Sequence, residues 1–190
     1  MFGLLKKMLV AVGLMSVVVG ARAETADQFV KAMSDKVVAA ITYNAGIKSG
    51  NVNSVSTYVD GNIMPYVDFT SMVSRVVGPA WNQASASEKS ELVAESRKYL
   101  VRTYAGSLKG ANISSIDVYP ASGSEVRSRI NTGSGKKVMV SYRLINNGGW
   151  KVTDISFGGV WLVKSYAGQF QPVVAKGGVK GLIAHLKSKR

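Results

Sequence analysis

The residue whose type and position are best suited to catalysis is Asp154, an acid within a strand pattern that lies near Tyr142. An acid inside an apolar cleft can abstract a proton, so these two residues permit an isomerase-like enzyme. The alternative, which the alternation along the strand favours, is an outward-facing or hydrogen-bonded carboxylate. Of the other acids, Asp68 fits a helix cap, and Asp117 alternates outward beside an apolar strand position.

Nucleophilic and metal chemistry lack suitable residues in this sequence. The only histidine, His185, lies in a basic C-terminal segment, where it fits the last turn of a helix better than the role of a base. The chain contains no cysteine. A Ser-His-Asp set near the core helices would therefore need the tail histidine, and no spacing indicates a metal cluster. We predict no catalytic residue, no metal site, no cofactor and no enzymatic activity.

Large apolar side chains, instead of reactive ones, dominate residues 65–106. This region contains the segments 65–69 (PYVDF), 81–84 (WNQA) and 100–106 (LVRTYAG) and reads as a run of helices. It contains no phosphate-binding loop. These features favour an apolar binding site over an enzyme.

The order of several sequence blocks resembles the MlaC family, also called the toluene-tolerance family, of periplasmic phospholipid-binding proteins. The blocks that follow residues 65–69 are Met72, residues 76–78 (VVG), Trp81, residues 150–156 (WKVTDIS), Gly159-Val160, Leu162-Val163, Tyr166, Gln169-Phe170, Gly178 and residues 181–183 (GLI). Each block alone is weak. The ordered set is specific and extends over nearly the whole chain after residue 23.

The resemblance implies a fold, a function and partners. The fold would be a cone like that of nuclear transport factor 2 (NTF2-like), elaborated by extra helices. The function would be that of a soluble carrier, which holds acyl chains in an apolar pocket and shuttles phospholipid between outer and inner membranes to maintain outer-membrane asymmetry. The partners would be an outer-membrane lipoprotein–porin complex and an inner-membrane ABC transporter with an MCE-type lipid-binding ring. A basic periplasmic adaptor without a ligand is a further hypothesis, and it predicts no copurifying lipid.

The candidate pocket lining consists of apolar and aromatic residues from the helical and strand patterns. Each of them alone fits plain core packing, but together they contain more aromatic groups than a sealed core needs. Tyrosines would supply polar tips at a wet mouth, and methionine adapts to varied chains. The predicted lining is Tyr66, Phe69, Met72, Val76, Trp81, Leu100, Tyr104, Val118, Val140, Tyr142, Ile155, Phe157, Val160 and Phe170.

Two arginines, Arg102 and Arg143, are candidate contacts for a lipid phosphate at the mouth of the pocket. Surface pairing with acids is the alternative for both.

Residues 1–23 have the pattern of a cleaved secretory signal. Lys6 and Lys7 precede an apolar run over residues 8–20, and Ala21-Arg22-Ala23 has the small residues of a cleavage site. The alternative is an uncleaved anchor. We predict export to the periplasm and a mature single domain over residues 24–190. Without cysteine, an apolar core must hold this domain together.

The chain is strongly basic, with 24 Lys and Arg against 11 Asp and Glu. Removal of Lys6, Lys7 and Arg22 with the signal leaves 21 against 11, a net charge of +10. Such a surface attracts anionic membranes or acidic proteins, and an ordinary solvated surface is the alternative. Export argues against nucleic acid as a partner.

The elements that would position these residues are helices first and strands later. Thr25 to Gln28 read as a capping box that opens a helix with an apolar stripe. A second helix over residues 52–64 stops at Pro65, Asp68 caps the next, and Ser85 to Glu88 open a long one. From residue 112 the period becomes two, which predicts four antiparallel strands. Helices over residues 160–174 and 179–187 follow, split by Gly177-Gly178. The predicted class is α+β, a curved four-stranded antiparallel sheet covered by helices.

Overall fold

The computed structural model describes residues 24–189, so the predicted signal over residues 1–23 lies outside the described residues. Within this part the chain forms seven α-helices, five β-strands and two short 3-10 turns. The helices are α1 (Ala26–Tyr43), α2 (Ala45–Lys48), α3 (Val52–Asn62), α4 (Phe69–Val77), α5 (Ala80–Gln83), α6 (Ala86–Ala105) and α7 (Leu162–Ser188). The strands are β1 (Ile113–Val118), β2 (Glu125–Thr132), β3 (Lys137–Asn146), β4 (Trp150–Phe157) and β5 (Val160–Trp161).

Both predicted capping boxes are present and fix where the long helices begin. The Thr25 hydroxyl accepts from the Gln28 N–H of α1, and the Gln28 side chain accepts from the Thr25 N–H at 3.0 Å. Ser85 and Glu88 form the same reciprocal pair at the start of α6. These caps satisfy backbone donors that the first helical turn leaves without partners.

Helix α4 begins and ends where the sequence predicts. The Asp68 carboxylate accepts a hydrogen bond from the Ser71 N–H at 3.1 Å. Gly78 ends the helix with a φ of 68°, a value that side chains with a Cβ rarely adopt. The second predicted helix is shorter than expected, since α3 ends at Asn62 and Pro65 lies in a separate 3-10 turn, Met64–Tyr66.

The sheet is an antiparallel meander in the order β1-β2-β3-β4-β5. The four predicted strands are β1 to β4, and the α+β class is confirmed. Residues 160–161 were predicted to begin a helix, but they pair with Phe157 and Ser156 as the short strand β5. The helix starts only at Leu162, because the chain must first complete the turn through Gly158 and Gly159, which have φ values of 57° and 87°.

The predicted break in the C-terminal helix lies at Gly178, whose φ of 59° and ψ of −156° interrupt α7. The two parts of α7 pack against α4 and α6, where Phe170, Leu182 and Leu186 are buried. Helix α1 packs instead against β1 and β2. The molecule therefore has a helical layer on one side and a sheet covered by α1 on the other.

Candidate functional site

An apolar cavity of about 310 Å³ lies between α1 and the sheet. We call it the sheet cavity. Its volume is at the lower end of the roughly 300–1,000 Å³ that ligand pockets occupy. It is lined by Phe29, Val30, Met33, Ser34, Val37, Ile63, Val67, Met72, Ile113, Ile116, Ile130, Tyr142, Val152, Ile155 and Phe157.

Strand register builds the sheet wall of this cavity. Tyr142 of β3 pairs with Ile155 of β4, and Ile116 of β1 pairs with Ile130 of β2. Since alternate residues of a strand share a face, Phe157 lies on the same side as Ile155. The period-two apolar pattern of the sequence thus becomes one continuous wall.

The polar groups at the sheet cavity have partners within the protein. The Ser128 hydroxyl donates to the Tyr142 hydroxyl oxygen at 3.5 Å. Burial raises the pKa of Tyr142, and hydrogen bonds with Ser128 and Ser34 offset part of that effect. The Tyr142 hydroxyl therefore stays protonated at neutral pH, and the cavity presents a neutral surface.

One side of the sheet cavity reaches the surface at Phe157. This side chain lines the cavity and is nevertheless 44% exposed. Its partner in the register, Val160 of β5, is 59% exposed. Phe157 is the one described lining residue that is exposed, so the apolar lining continues onto the surface at this residue.

A second apolar cavity, which we call the helical cavity, lies between α4, α6 and α7. Its volume is about 40 Å³, far smaller than that of the sheet cavity. It is lined by Phe69, Met72, Val73, Val76, Val77, Ser96, Tyr99, Leu100, Leu162, Val163, Tyr166, Phe170 and Leu182. Among the described residues, Met72 alone lines both cavities.

The structure divides the predicted pocket residues into three groups. Met72, Tyr142, Ile155 and Phe157 line the sheet cavity. Phe69, Met72, Val76, Leu100 and Phe170 line the helical cavity. The remaining six, which line neither cavity, are Tyr66, Trp81, Tyr104, Val118, Val140 and Val160.

Five of these six residues pack elsewhere in the fold, and the sixth, Val160, is the exposed partner of Phe157 in the sheet. Tyr66 packs edge-on against Phe29, and Val118 packs against the core beside α1. Val140 is fully buried between its sheet neighbours. Trp81 packs on the helical layer, and Tyr104 of α6 shares a hydrogen bond with Tyr166 at 3.0 Å.

Helix α1 supplies a wall of the sheet cavity that sequence reasoning did not assign to the pocket. Phe29, Met33 and Val37 lie at intervals of four residues and form the apolar stripe that the sequence predicts for this helix. This stripe is the sequence signal that could have placed α1 at the pocket. It predicts a buried helix face, but it does not indicate whether that face packs against a filled core or lines a cavity.

Neither predicted arginine lines a cavity. Arg102 donates to the Leu186 carbonyl at 3.4 Å, near the end of α7. The Arg143 guanidinium lies 3.9 Å from the ring centre of Trp161 and 3.9 Å from the Asp154 carboxylate. Contact of either arginine with a lipid phosphate stays a prediction.

Asp154 lies on the face of β4 opposite to the sheet cavity. It is 2% exposed, and its Oδ1 atom accepts from the N–H groups of Ile155 at 2.9 Å and Val163 at 3.2 Å. Trp161 provides no side-chain cap for α7, so Asp154 caps this helix from the neighbouring strand. This is the hydrogen-bonded carboxylate of the sequence analysis, and it does not face the cleft that the isomerase hypothesis requires.

No aspartate, glutamate or histidine in the described part of the chain lines either cavity. His185 packs against the Phe170 ring at 6.1 Å between centres. Within residues 24–189, no group of three or more His, Asp or Glu residues is placed to hold a metal ion. In the same range, no helix combines the length and the apolar character needed to cross a membrane.

A helix-covered antiparallel sheet around a neutral apolar cavity is the architecture of a binding protein for apolar ligands. The chain belongs to the MlaC protein family, which matches residues 31–188. It is similar to a phospholipid-binding protein from Ralstonia solanacearum, solved in complex with a phospholipid, with 33% identity and a TM-score of 0.77. That match covers 86% of this chain and 95% of the Ralstonia chain. A comparison with curated proteins finds no match.

Proposed function

We propose that this protein is a periplasmic phospholipid carrier that moves lipid between the outer and inner membranes and so maintains outer-membrane asymmetry. The observation that carries the proposal is the sheet cavity, whose lining is almost wholly apolar. Phe157, a lining residue that is exposed, is the entrance that we propose. Family membership and the phospholipid-bound relative support the same ligand class.

The mechanism follows from the cost of exposing acyl chains to water. At about 0.8 kcal/mol per methylene, exposure of both chains of a phospholipid costs on the order of 20 kcal/mol. A carrier removes this barrier because its cavity replaces the bilayer interior during transfer. The acyl chains would enter past Phe157, while the headgroup would stay at the exposed opening.

The neutral lining suits a carrier that must also release its ligand. Tyr142 and Ser34 carry the hydroxyl groups at the cavity, and no ionised group faces the acyl chains. Binding therefore rests on apolar contact, which a bilayer offers equally, so that release into a membrane has little energetic cost.

Two membrane partners complete the proposal. An outer-membrane lipoprotein–porin complex would donate or accept lipid on one side, and an inner-membrane ABC transporter with an MCE-type ring would do so on the other. The excess of ten basic residues after residue 23 favours docking on acidic surfaces. Nucleotide hydrolysis would belong to the transporter.

The deciding experiment is native mass spectrometry of residues 24–190 purified from a bacterial periplasm, followed by solvent extraction. We expect phospholipid at near-stoichiometric amounts. A protein that is folded and empty would overturn the carrier function and favour the adaptor hypothesis.

Two adjacent residues of α1 provide a matched pair of variants. Val37 lines the sheet cavity, whereas Val38 lines an outer groove between α1 and β1, and both are half-buried. Val37→Trp should fill the cavity and reduce bound lipid several-fold. Val38→Trp, the same change on the outer side, should retain wild-type lipid. Equal lipid in both variants would contradict the assignment of the sheet cavity as the lipid site.

A further inference from the structure

Met72 of α4 lies at the boundary between the two apolar cavities. It is 7% exposed, and it lines both the sheet cavity and the helical cavity. The core packing also joins the two regions. Met72 belongs to the buried cluster of the helical layer. Val67, which lines the sheet cavity with Met72, packs against both that cluster and the cluster between α1 and the sheet. Among the described residues, Met72 is thus the side chain that the cavity of about 310 Å³ and the cavity of about 40 Å³ share.

Aromatic rings that contact one another form part of the remaining wall of the helical cavity. Tyr99, Tyr166 and Phe170 hold one another, with ring centres 5.5 to 6.2 Å apart. The Tyr166 hydroxyl is held by the Tyr104 hydroxyl at 3.0 Å. Valines of α4 form much of the remaining wall, and a β-branched side chain has few rotamers available.

Met72 is the flexible part of this boundary. Methionine is unbranched and has three rotatable bonds, so it changes shape within a core more readily than valine or an aromatic ring. Rotation of its thioether away from the helical cavity would join that cavity to the sheet cavity without movement of the backbone.

We propose that Met72 is a movable partition that sets the length of acyl chain the protein accepts, with the helical cavity as a second subsite for the chain end. This inference rests on the proposed function as a phospholipid carrier. A chain too long for the sheet cavity displaces Met72 and extends between α4, α6 and α7. A shorter chain leaves the partition closed.

The size of the effect follows from the methylenes that find no room. Each methylene left in water disfavours binding roughly fourfold relative to a bilayer. A partition that opens therefore removes discrimination against longer chains. A partition that cannot open restores the discrimination against longer chains, by about fourfold for each excluded methylene.

The test is competitive loading. Delipidated protein is incubated with vesicles of equimolar dilauroyl, dimyristoyl and dioleoyl phosphatidylglycerol, and the bound lipids are counted by native mass spectrometry. Met72→Ala should raise the ratio of dioleoyl to dilauroyl lipid at least fourfold. Met72→Leu, which preserves the core volume but shortens the flexible chain, should shift the ratio in the opposite direction.

Met33→Ala is the matched control, because Met33 lines the sheet cavity alone. This substitution enlarges the sheet cavity by the volume of the same side chain but does not open the helical cavity. The change in the ratio of dioleoyl to dilauroyl lipid should therefore be clearly smaller than for Met72→Ala. Addition of Val76→Phe, which fills the helical cavity, should reverse the effect of Met72→Ala.

The outcomes separate this inference from the proposed function. If all variants load lipid in the same proportions, or if Met33→Ala and Met72→Ala shift them equally, the partition is refuted and the carrier stands. If even the wild type binds no lipid, the carrier function itself fails. Should Met72→Ala not fold, an unchanged ratio in Met72→Leu would be enough to overturn the partition.

Discussion

Asp154 of β4 caps α7 across a turn, since its carboxylate accepts a hydrogen bond from the Val163 N–H at 3.2 Å. Val163 lies in the first turn of the helix, where backbone N–H groups have no partner within the helix. A negative charge at this end also interacts favourably with the helix dipole. The sheet and the helical layer are therefore joined by a buried carboxylate at the point where the chain passes from one to the other.

Substitution of Asp154 by alanine should weaken this junction. Asp154→Ala leaves two N–H groups without their acceptor, and we expect the free energy of unfolding to fall by about 1–3 kcal/mol. Asp154→Asn retains an oxygen acceptor and should cost less. Urea unfolding measures both values, and an alanine variant as stable as the wild type would contradict the capping role.

The asparagine variant also tests the isomerase alternative. Asp154→Asn should retain full lipid content and transfer, because the carboxylate faces away from the sheet cavity. Lipid extraction and a vesicle transfer assay measure the two properties. Loss of transfer in a folded Asn variant that still contains lipid would indicate a chemical role for the acid.

The entrance at Phe157 can be tested with a charge. Phe157→Glu places a carboxylate where the acyl chains would pass, so bound lipid should fall several-fold with little loss of stability at this exposed position. Met139→Glu is the matched control, because Met139 has the same exposure of 44% and lies on the opposite face of the sheet. Native mass spectrometry and thermal unfolding measure lipid and stability together. An equal loss of lipid in both variants would argue against an entrance at Phe157.

High pH should destabilise the protein through its tyrosines. Burial raises the pKa of Tyr142, and burial with the Tyr104 hydrogen bond raises that of Tyr166. In the unfolded chain both hydroxyls lose a proton near pH 10. Above about pH 10 the unfolded state therefore binds fewer protons than the folded state, and stability falls as pH rises.

Tyr142→Phe isolates the contribution of the more deeply buried tyrosine. It should reduce the pH dependence above about pH 10 by at most about 1.4 kcal/mol per pH unit. Below about pH 9 the slope should stay unchanged. Urea unfolding at a series of pH values checks this, and parallel curves for wild type and variant would contradict the assignment.

Local signals in the sequence predicted much of the fold but only part of the candidate site. The caps at Thr25 and Ser85 and the alternation through Tyr142 each depend on neighbouring residues, so spacing alone revealed them. The contact between Asp154 and Val163 crosses a turn and has no such signal. Val140 shares a sheet face with Tyr142 but is covered by its neighbours, so the alternation could not separate a core residue from a lining residue.

Salt should slow lipid transfer from anionic membranes but not from neutral ones. The 21 basic and 11 acidic residues after residue 23 attract phosphatidylglycerol vesicles, whereas phosphatidylcholine vesicles carry no net charge. As salt rises from about 0.1 M to about 1 M, the screening length falls from roughly 10 Å to roughly 3 Å. Transfer of a fluorescent phospholipid between vesicles, measured at both salt concentrations, should therefore slow only for phosphatidylglycerol. If transfer from both vesicle types slowed equally, the salt would be acting on the protein or its cavity, and the basic surface would have no part in docking.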